Sequence, residues 1–362
     1  MRHHFLRPSL LALGALGLAA CGEQATQPNP ATDQPTAPEL AVTSNTWVAR
    51  RDMPLELYEQ ALAVVPNSAG QSILYAIGGG KANSPYNGAP VTMGEVLAYN
   101  VATDRWSWKR DMPAARWGMN GAGVIGEKIY VTGGYTKGGY RSVTASLFVY
   151  NTASDTWTRK RDMPAAGGDG VTGVIGGKLY VLTFNYYYRN PEVNFFRYNP
   201  ITDSWTKLPA PTDYPLLNVG GGVMYDKLYL TGSTAGLQEP PWTGSKSRVM
   251  EFNPITNRWT QKRPWTNPSC LIVAYDCNVS GPTAIMQAQL YVFGHYTADR
   301  SGGTGIFSYE PLSDTWKSKP LLTTFSYWDA SRLAAERVFV NGKPRVEMIG
   351  GFRPGNNQQY IP

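Results

Sequence analysis

The side chains of this 362-residue chain that could do chemistry are few, and their positions restrict what they can do. His3 and His4 stand at the extreme N-terminus. That leaves His295, in the stretch Leu290-Tyr291-Val292-Phe293-Gly294-His295-Tyr296, as the one imidazole of the body. A lone histidine cannot share a coordination sphere with a second, so no metal is expected. It can titrate, meet a ligand or cap a strand end by hydrogen bonding, and capping is the favoured reading. The glycine-rich runs Gly121–Gly126, Gly170–Gly176 and Val219–Tyr225 have no lysine placed for a phosphate loop. No nucleotide or other cofactor is expected, and no nucleophile triad stands out. What remains is a population of aromatic, arginine, carboxylate and amide side chains suited to stacking and directed hydrogen bonds. The candidate ligand contacts are Arg116, Trp117, Tyr140, Asp169, Asn185, Tyr187, Trp242, His295, Trp328 and Arg332, with no catalytic residue among them. Such groups fit a glycan or an extended protein segment.

The elements that must position them repeat. The stretch around His295 has five relatives: LYAIGGG from Leu74, IYVTGGY from Ile129, LYVLTFN from Leu179, LYLTGST from Leu228 and VEMIGGF from Val346. Each reads as an alternating apolar strand, and most run into glycine, which allows unusual backbone angles and close approach of a neighbour. A second signature follows the first five: an aromatic residue, an Asn- or Glu-led turn, then Thr or Ser close to a tryptophan. Those tryptophans are Trp106, Trp157, Trp205, Trp259 and Trp316, spaced 48 to 57 residues apart. Trp47 precedes every glycine strand. Joining the C-terminal Gln359-Tyr360-Ile361-Pro362 to Val42–Trp47 regenerates the same turn, and the distance from Trp316 through that join is about 52 residues. The N-terminal strand therefore completes the last repeat, and the string closes into a ring.

A period near 50 with glycine, tyrosine and tryptophan at these places resembles the kelch repeat, over nearly all of residues 42–362. The resemblance implies an all-β fold: a six-bladed kelch-type β-propeller with four-stranded blades, the last closed by the N-terminal strand. Radial stacking leaves only short, protected strand edges. Each tryptophan, fully buried between blades, could remove ~150–250 Å² from water, an upper bound of about 4–6 kcal/mol. The triplicated Arg-Asp-Met-Pro (Arg51–Pro54, Arg110–Pro113 and Arg161–Pro164) reads as structural: the methionine fills a gap and the Arg-Asp pair is solvated or caps a turn. Within a blade the order is inner strand, glycine strand, tyrosine strand, tryptophan strand. The irregular loops after the second and fourth strands then share one face, where function is expected, and tight turns occupy the other. The long segment 264–290 with both body cysteines departs most from a compact repeat and reads as a recognition insert.

The N-terminus is basic and then apolar through Leu18, too short to span a bilayer comfortably, and reads as an export signal over residues 1–20. Leu18-Ala19-Ala20-Cys21 resembles the lipobox of bacterial lipoproteins, which implies lipidation of Cys21 and an outer-membrane or cell-surface location. Residues 22–41 are rich in Pro, Thr, Gln and Ala with almost no large apolar side chains, so 21–41 reads as a lipidated tether. The formal charge of +7 falls to +5 once Arg2 and Arg7 are removed, and the body has no block of basic residues. Nucleic acid is not an expected partner. Cys270 and Cys277 can close a small loop in an oxidising envelope. The membrane is expected to be met through the lipid alone, by a monomer.

Two groups of kelch enzymes frame the alternatives. The copper-radical oxidases resemble this chain in fold but place copper on two histidines and two tyrosines, which a mature chain with one histidine does not supply. The six-bladed N-acetylneuraminate epimerase is similar in blade count and export. A mutarotase of that type would need a cation for the sugar carboxylate, from Arg116, Arg141, Arg189 or Arg332, and proton transfer from Glu56, Glu59 or Asp169. The preferred reading is a binding propeller without catalysis, since shared fold motifs argue blade number and not chemistry.

Overall fold

The structure, a computed structural model, describes residues 45–81, 90–137, 142–185, 192–211, 216–234, 247–265, 279–280, 282–296, 303–320, 333–350 and 357–362. The chain divides into Met1–Ala41 and Val42–Pro362, and every described residue lies in the second unit.

β1 (Thr46–Ala49) stands apart in sequence from the blade it joins. Blade 1 consists of β2 (Ala61–Pro66), β3 (Ser72–Lys81), β4 (Val91–Asn100) and β5 (Arg105–Lys109). Blade 2 is β6 (Ala122–Ile125), β7 (Lys128–Thr132), β8 (Leu147–Asn151) and β9 (Thr156–Lys160), and blade 3 is β10 (Gly168–Ile175), β11 (Lys178–Asn185), β12 (Glu192–Asn199) and β13 (Ser204–Leu208). Blade 4 is β14 (Leu216–Met224), β15 (Lys227–Thr234), β16 (Ser247–Asn253) and β17 (Arg258–Lys262). In blade 5 the inner position is split between β18 (Val279–Ser280) and β19 (Thr283–Met286), both pairing β20 (Gln289–Tyr296), followed by β21 (Gly303–Glu310) and β22 (Thr315–Pro320). Blade 6 is β23 (Leu333–Val340), β24 (Lys343–Gly350) and β25 (Asn357–Ile361), completed by β1 in antiparallel register, Trp47 opposite Tyr360. The chain is thus a six-bladed β-propeller of four-stranded antiparallel blades, with its ring closed by the N-terminal strand.

Strands of such a blade are buried on both faces, so successive side chains serve different interfaces. In β3, Tyr75 and Ile77 pack toward blade 2, while Leu74 and Ala76 pack toward blade 6. The result is six separate apolar clusters, one between each pair of neighbouring blades.

A polar clasp reinforces five of these interfaces. In every blade the tryptophan lies opposite an aromatic residue of the adjacent strand, with ring centroids 4.8–5.2 Å apart. The indole N–H of Trp106, Trp157, Trp205 and Trp316 donates to the carbonyl of Arg51, Arg110, Arg161 and Arg263 in the preceding blade, at 2.8–2.9 Å. The backbone N–H of the same arginines donates to Oδ1 of Asp104, Asp155, Asp203 and Asp314, which also accepts a 2.6 Å bond from a tyrosine hydroxyl. Each of these aspartates has φ between 46° and 55°, a left-handed angle that Asp and Asn adopt most readily. The Arg-Asp-Met-Pro motif is therefore structural through the arginine's backbone, and Met53, Met112 and Met163 are buried fillers as expected. Blade 4 shows the logic by exception. Its partner is Pro209, which can accept from Trp259 but has no N–H to give, and the aspartate and tyrosine are replaced by Asn257 and Phe252. The tryptophans themselves are only half-buried, so each contributes less than full burial would.

Candidate binding site

The loops that lead into the inner strands of blades 1, 2 and 3 meet at the end of these blades opposite the tight turns. Their backbones interlock. Gly118 donates its N–H to the carbonyl of Glu59 at 3.2 Å, and Asp169 donates to the carbonyl of Gly118 at 2.8 Å. Glu59, Gly118 and Asp169 hold equivalent positions in blades 1, 2 and 3, and all three have left-handed φ, at 54°, 56° and 51°. For glutamate that angle carries strain of order 1–3 kcal/mol, and strain of this kind persists where the surroundings fix it. A β-carbon on Gly118 would lie 2.6 Å from Oδ1 of Asp169 and 2.9 Å from the Tyr135 ring, so the missing side chain leaves room for the neighbouring carboxylate. Behind this arc Trp117 and Tyr135 pair through their backbones, and their rings, both buried, lie 4.8 Å apart at an interplanar tilt of 36°. Blades 1–3 thus bring two half-buried carboxylates to either side of a glycine: Glu59, whose Oε2 is buried, and Asp169. Carboxylates accept hydrogen bonds and attract cations, which suits a ligand rich in hydroxyl, ammonium or guanidinium groups.

The candidates from sequence fall into distinct places. Asp169 belongs to the arc, and Asn185 ends β11 half-buried, opposite Glu192. Trp117 is buried beneath the mouth and supports it. Arg116 is in the wall between blades 1 and 2. Its backbone bonds Met93 and Gly79 of blade 1, while its guanidinium donates to the carbonyls of Gly133 (3.1 Å) and Ser146 (3.4 Å) of blade 2 and lies 4.7 Å from the Phe148 ring centre. Burial pushes its pKa down to about 10, which leaves it charged at neutral pH. His295 pairs through its backbone with Ser280 and Thr304. Tyr140, Tyr187, Trp242, Trp328 and Arg332 lie outside the described residues, as do Cys21, Cys270 and Cys277 and the arginines at 141 and 189. Among the described residues no group of three or more His, Cys, Asp or Glu could hold a metal ion.

Glu59 and Asp169 are each visible in sequence, but their equivalence is not. No fixed offset in sequence marks it: Glu59 stands two residues before β2, Gly118 four before β6, and Asp169 is the second residue of β10.

Residues 116–164, which run from the loop before β6 to the proline after β9, match the family model of the Kelch motif. The Kelch-like protein terF of Aspergillus terreus is 31% identical over 147 residues, covering 38% of this chain and 32% of that one. Kelch-like protein 23 of Homo sapiens is 26% identical over 283 residues, 77% of this chain and 43% of the relative. Alpha-scruin of Limulus polyphemus is 22% identical over 233 residues, 62% and 25%. The chain spans a quarter to under half of the length of these curated relatives. Among solved structures, that of YjhT superposes with a TM-score of 0.60 over 85% of this chain and 94% of the other, at 17% identity, a likeness of fold alone. This chain carries a Kelch motif within a six-bladed propeller of the kelch type.

Proposed function

We propose that this chain is an envelope lipoprotein whose propeller binds a ligand at the irregular-loop face without transforming it, the ligand being a glycan or a protein segment. The observation that supports this most is the arc of Glu59, Gly118 and Asp169, three left-handed residues joined blade to blade with two carboxylates at the mouth. A rigid scaffold that holds acceptors in strained, fixed positions pre-organises them for a donor-bearing partner. Sugar hydroxyls and the lysine or arginine side chains of a peptide share that chemistry. The mutarotase alternative draws no comparable support: of its arginines, the one in the described residues has its guanidinium turned into the wall.

The test is thermal unfolding of residues 21–362 carrying Cys21→Ser, which keep every strand of the propeller, against neutral sugars, sialic acids and Lys/Arg-rich peptides. A ligand at 100 times its Kd adds ~2.7 kcal/mol, or about 4 °C for a domain of this size. Stabilisation that Asp169→Asn abolishes supports the reading, and the class of ligand that produces it separates glycan from protein. Sialic acid turned over between anomers would overturn it in favour of an enzyme.

A further inference from the structure

The seam where the ring closes departs from the other five in a way the fold does not require. In blades 1 to 5 a tyrosine of the second strand stands opposite a small residue of the inner strand: Tyr75 opposite Ala63, Tyr130 opposite Gly123, Tyr180 opposite Gly173, Tyr229 opposite Gly222 and Tyr291 opposite Ala284. Each of these tyrosines packs toward the following blade. A β-carbon on Gly123, Gly173 or Gly222 would run into Val174, Val223 or Ile285 of that blade. In blade 6 the same two positions are Glu336 and Glu347, direct partners across β23 and β24. Direct partners point to one face of a sheet, and this face is turned toward blade 1, since Ala334, Val338 and Val340 of β23 share a cluster with Leu62, Val64 and Leu74.

Neither glutamate has a counter-ion. Glu336, half-buried, accepts the backbone N–H of Arg337 at 3.0 Å, and Glu347 accepts from the Gln359 amide. The Arg337 guanidinium lies over the Phe339 ring instead. Arg50, which comes from the segment after β1, donates to the Tyr99 hydroxyl at 3.1 Å and the Val101 carbonyl at 2.6 Å and lies 3.9 Å from Asp104. Arg50, Tyr99 and Asp104 are the titratable and charged groups that bear on Glu347, and Arg337 is the one that bears on Glu336. The blade 4 carboxylate Glu251 shows what pairing looks like in this fold: Lys227 at 2.7 Å, the Tyr229 hydroxyl at 2.8 Å and Lys262 at 3.6 Å. The Glu347 position also reaches the N-terminal strand, because Gln359 stands opposite Glu347 on one side and Val48 of β1 on the other.

We infer that this seam is a pH-operated latch on the ring: with Glu336 and Glu347 protonated, blades 6 and 1 stay closed, and as the two lose their protons the seam opens ahead of the other five and β1 is released with it. A carboxylic acid can stay in an apolar interface on a single hydrogen bond, whereas a carboxylate there without a counter-charge is drawn to water. Burial accordingly pushes both groups up to about 7. Each holds its proton more tightly in the closed seam than in the open one. The advantage of closure is complete below about pH 4.5, where the open seam binds the protons too, and is lost as pH rises through about 7. The latch is independent of what the mouth binds.

The test is hydrogen exchange read by mass spectrometry at pH 6 and pH 8, on residues 21–362 with Cys21→Ser. Protection of β1 and β23–β25 is divided by that of β10–β13 in the same sample, which cancels the intrinsic pH dependence of exchange. Opening of the seam relative to blade 3 is expected to rise ~10-fold for each titrating carboxylate over this interval, hence ~100-fold in the parent. Glu336→Gln and Glu347→Gln should each show a rise of ~10-fold, and the double variant none. A seam that keeps pace with blade 3 in the parent overturns the inference, as does a full rise in the double variant. Should the double variant fail to fold, the parent and the two single variants decide: an undiminished rise in both single variants overturns the latch.

Discussion

Replacing Glu347 by glutamine is expected to stabilise the propeller, and to do so only above acidic pH. Glu347 lies mid-strand in β24, between Glu336 of β23 and Gln359 of β25. It is fully buried on the face turned toward blade 1, where Arg50, Tyr99 and Asp104 are the polar and charged groups in reach. Gln359 donates to its Oε1, and Oε2 has no hydrogen-bond partner among the described residues. Desolvation pushes its pKa up to about 7, against the opposing effects of the Gln359 bond and the Arg50 charge. Between about pH 4.5, where the unfolded chain releases this proton, and about pH 7 the folded state retains it. The stabilisation is therefore complete below pH 4.5 and is lost as pH rises through 7. A shift of about 2.5 units corresponds to ~3 kcal/mol, which for ~320 residues is about 4–5 °C in Tm. Glutamine keeps the shape and an acceptor for Gln359 without a charge to desolvate. In thermal unfolding from pH 4.5 to 8, wild type and Glu347→Gln should agree within ~1 °C at the acid end and diverge to about 4–5 °C in favour of the variant at pH 8. Burial of Glu336 acts in the same direction in both proteins, so the difference between them is the informative quantity. Parallel curves, or a variant less stable at both ends, would refute a buried carboxylate without adequate partners.

Three further outcomes follow from the same geometry. Gly350→Ala places a β-carbon 2.7 Å from the Leu57 carbonyl at φ 96°, and should cost ~2–4 kcal/mol by chemical denaturation. Gly126→Ala, at φ 61° with nothing within 4 Å, should cost only ~1 kcal/mol. Asp155→Ala removes the acceptor shared by Tyr150 and the Arg110 N–H and should cost ~2–3 kcal/mol at neutral pH. The Tyr150 bond, foremost, holds the Asp155 pKa below the ordinary carboxylate range. Its contribution is then present above pH ~4 and fades as pH falls through the depressed value, so the gap between Asp155→Ala and wild type should narrow in acid.

The architecture was legible because a blade is a local unit repeated six times: strand alternation, glycine and tryptophan recur at one period, and ring closure is arithmetic on that period. The clasp was half legible. Sequence shows that Arg51, Arg110 and Arg161 share a motif, but the working atoms are backbone N–H and C=O, which no residue identity reveals. Blade 4 is the place where chemistry surfaces in sequence, since Pro209 coincides with the loss of both tyrosine and aspartate from its turn. The mouth was least legible. Arg116 in a loop reads as an available cation, and only the fold shows its guanidinium bonded to Gly133 and Ser146. Glu59 and Asp169 become one feature only through the hydrogen bonds that each makes with Gly118, far from both in sequence.

The central claim is that ligand is met at the irregular-loop mouth and not at the tight-turn face, where Ile255 is exposed. Calorimetric titration of the best stabilising ligand into the parent, Asp169→Asn and Ile255→Ser tests it most directly. The expected result is a loss of affinity of ~10-fold or more in Asp169→Asn, as for a charge-assisted hydrogen bond removed, with Ile255→Ser unchanged. Full affinity in Asp169→Asn and weakened binding in Ile255→Ser would place the ligand on the other face and contradict the account.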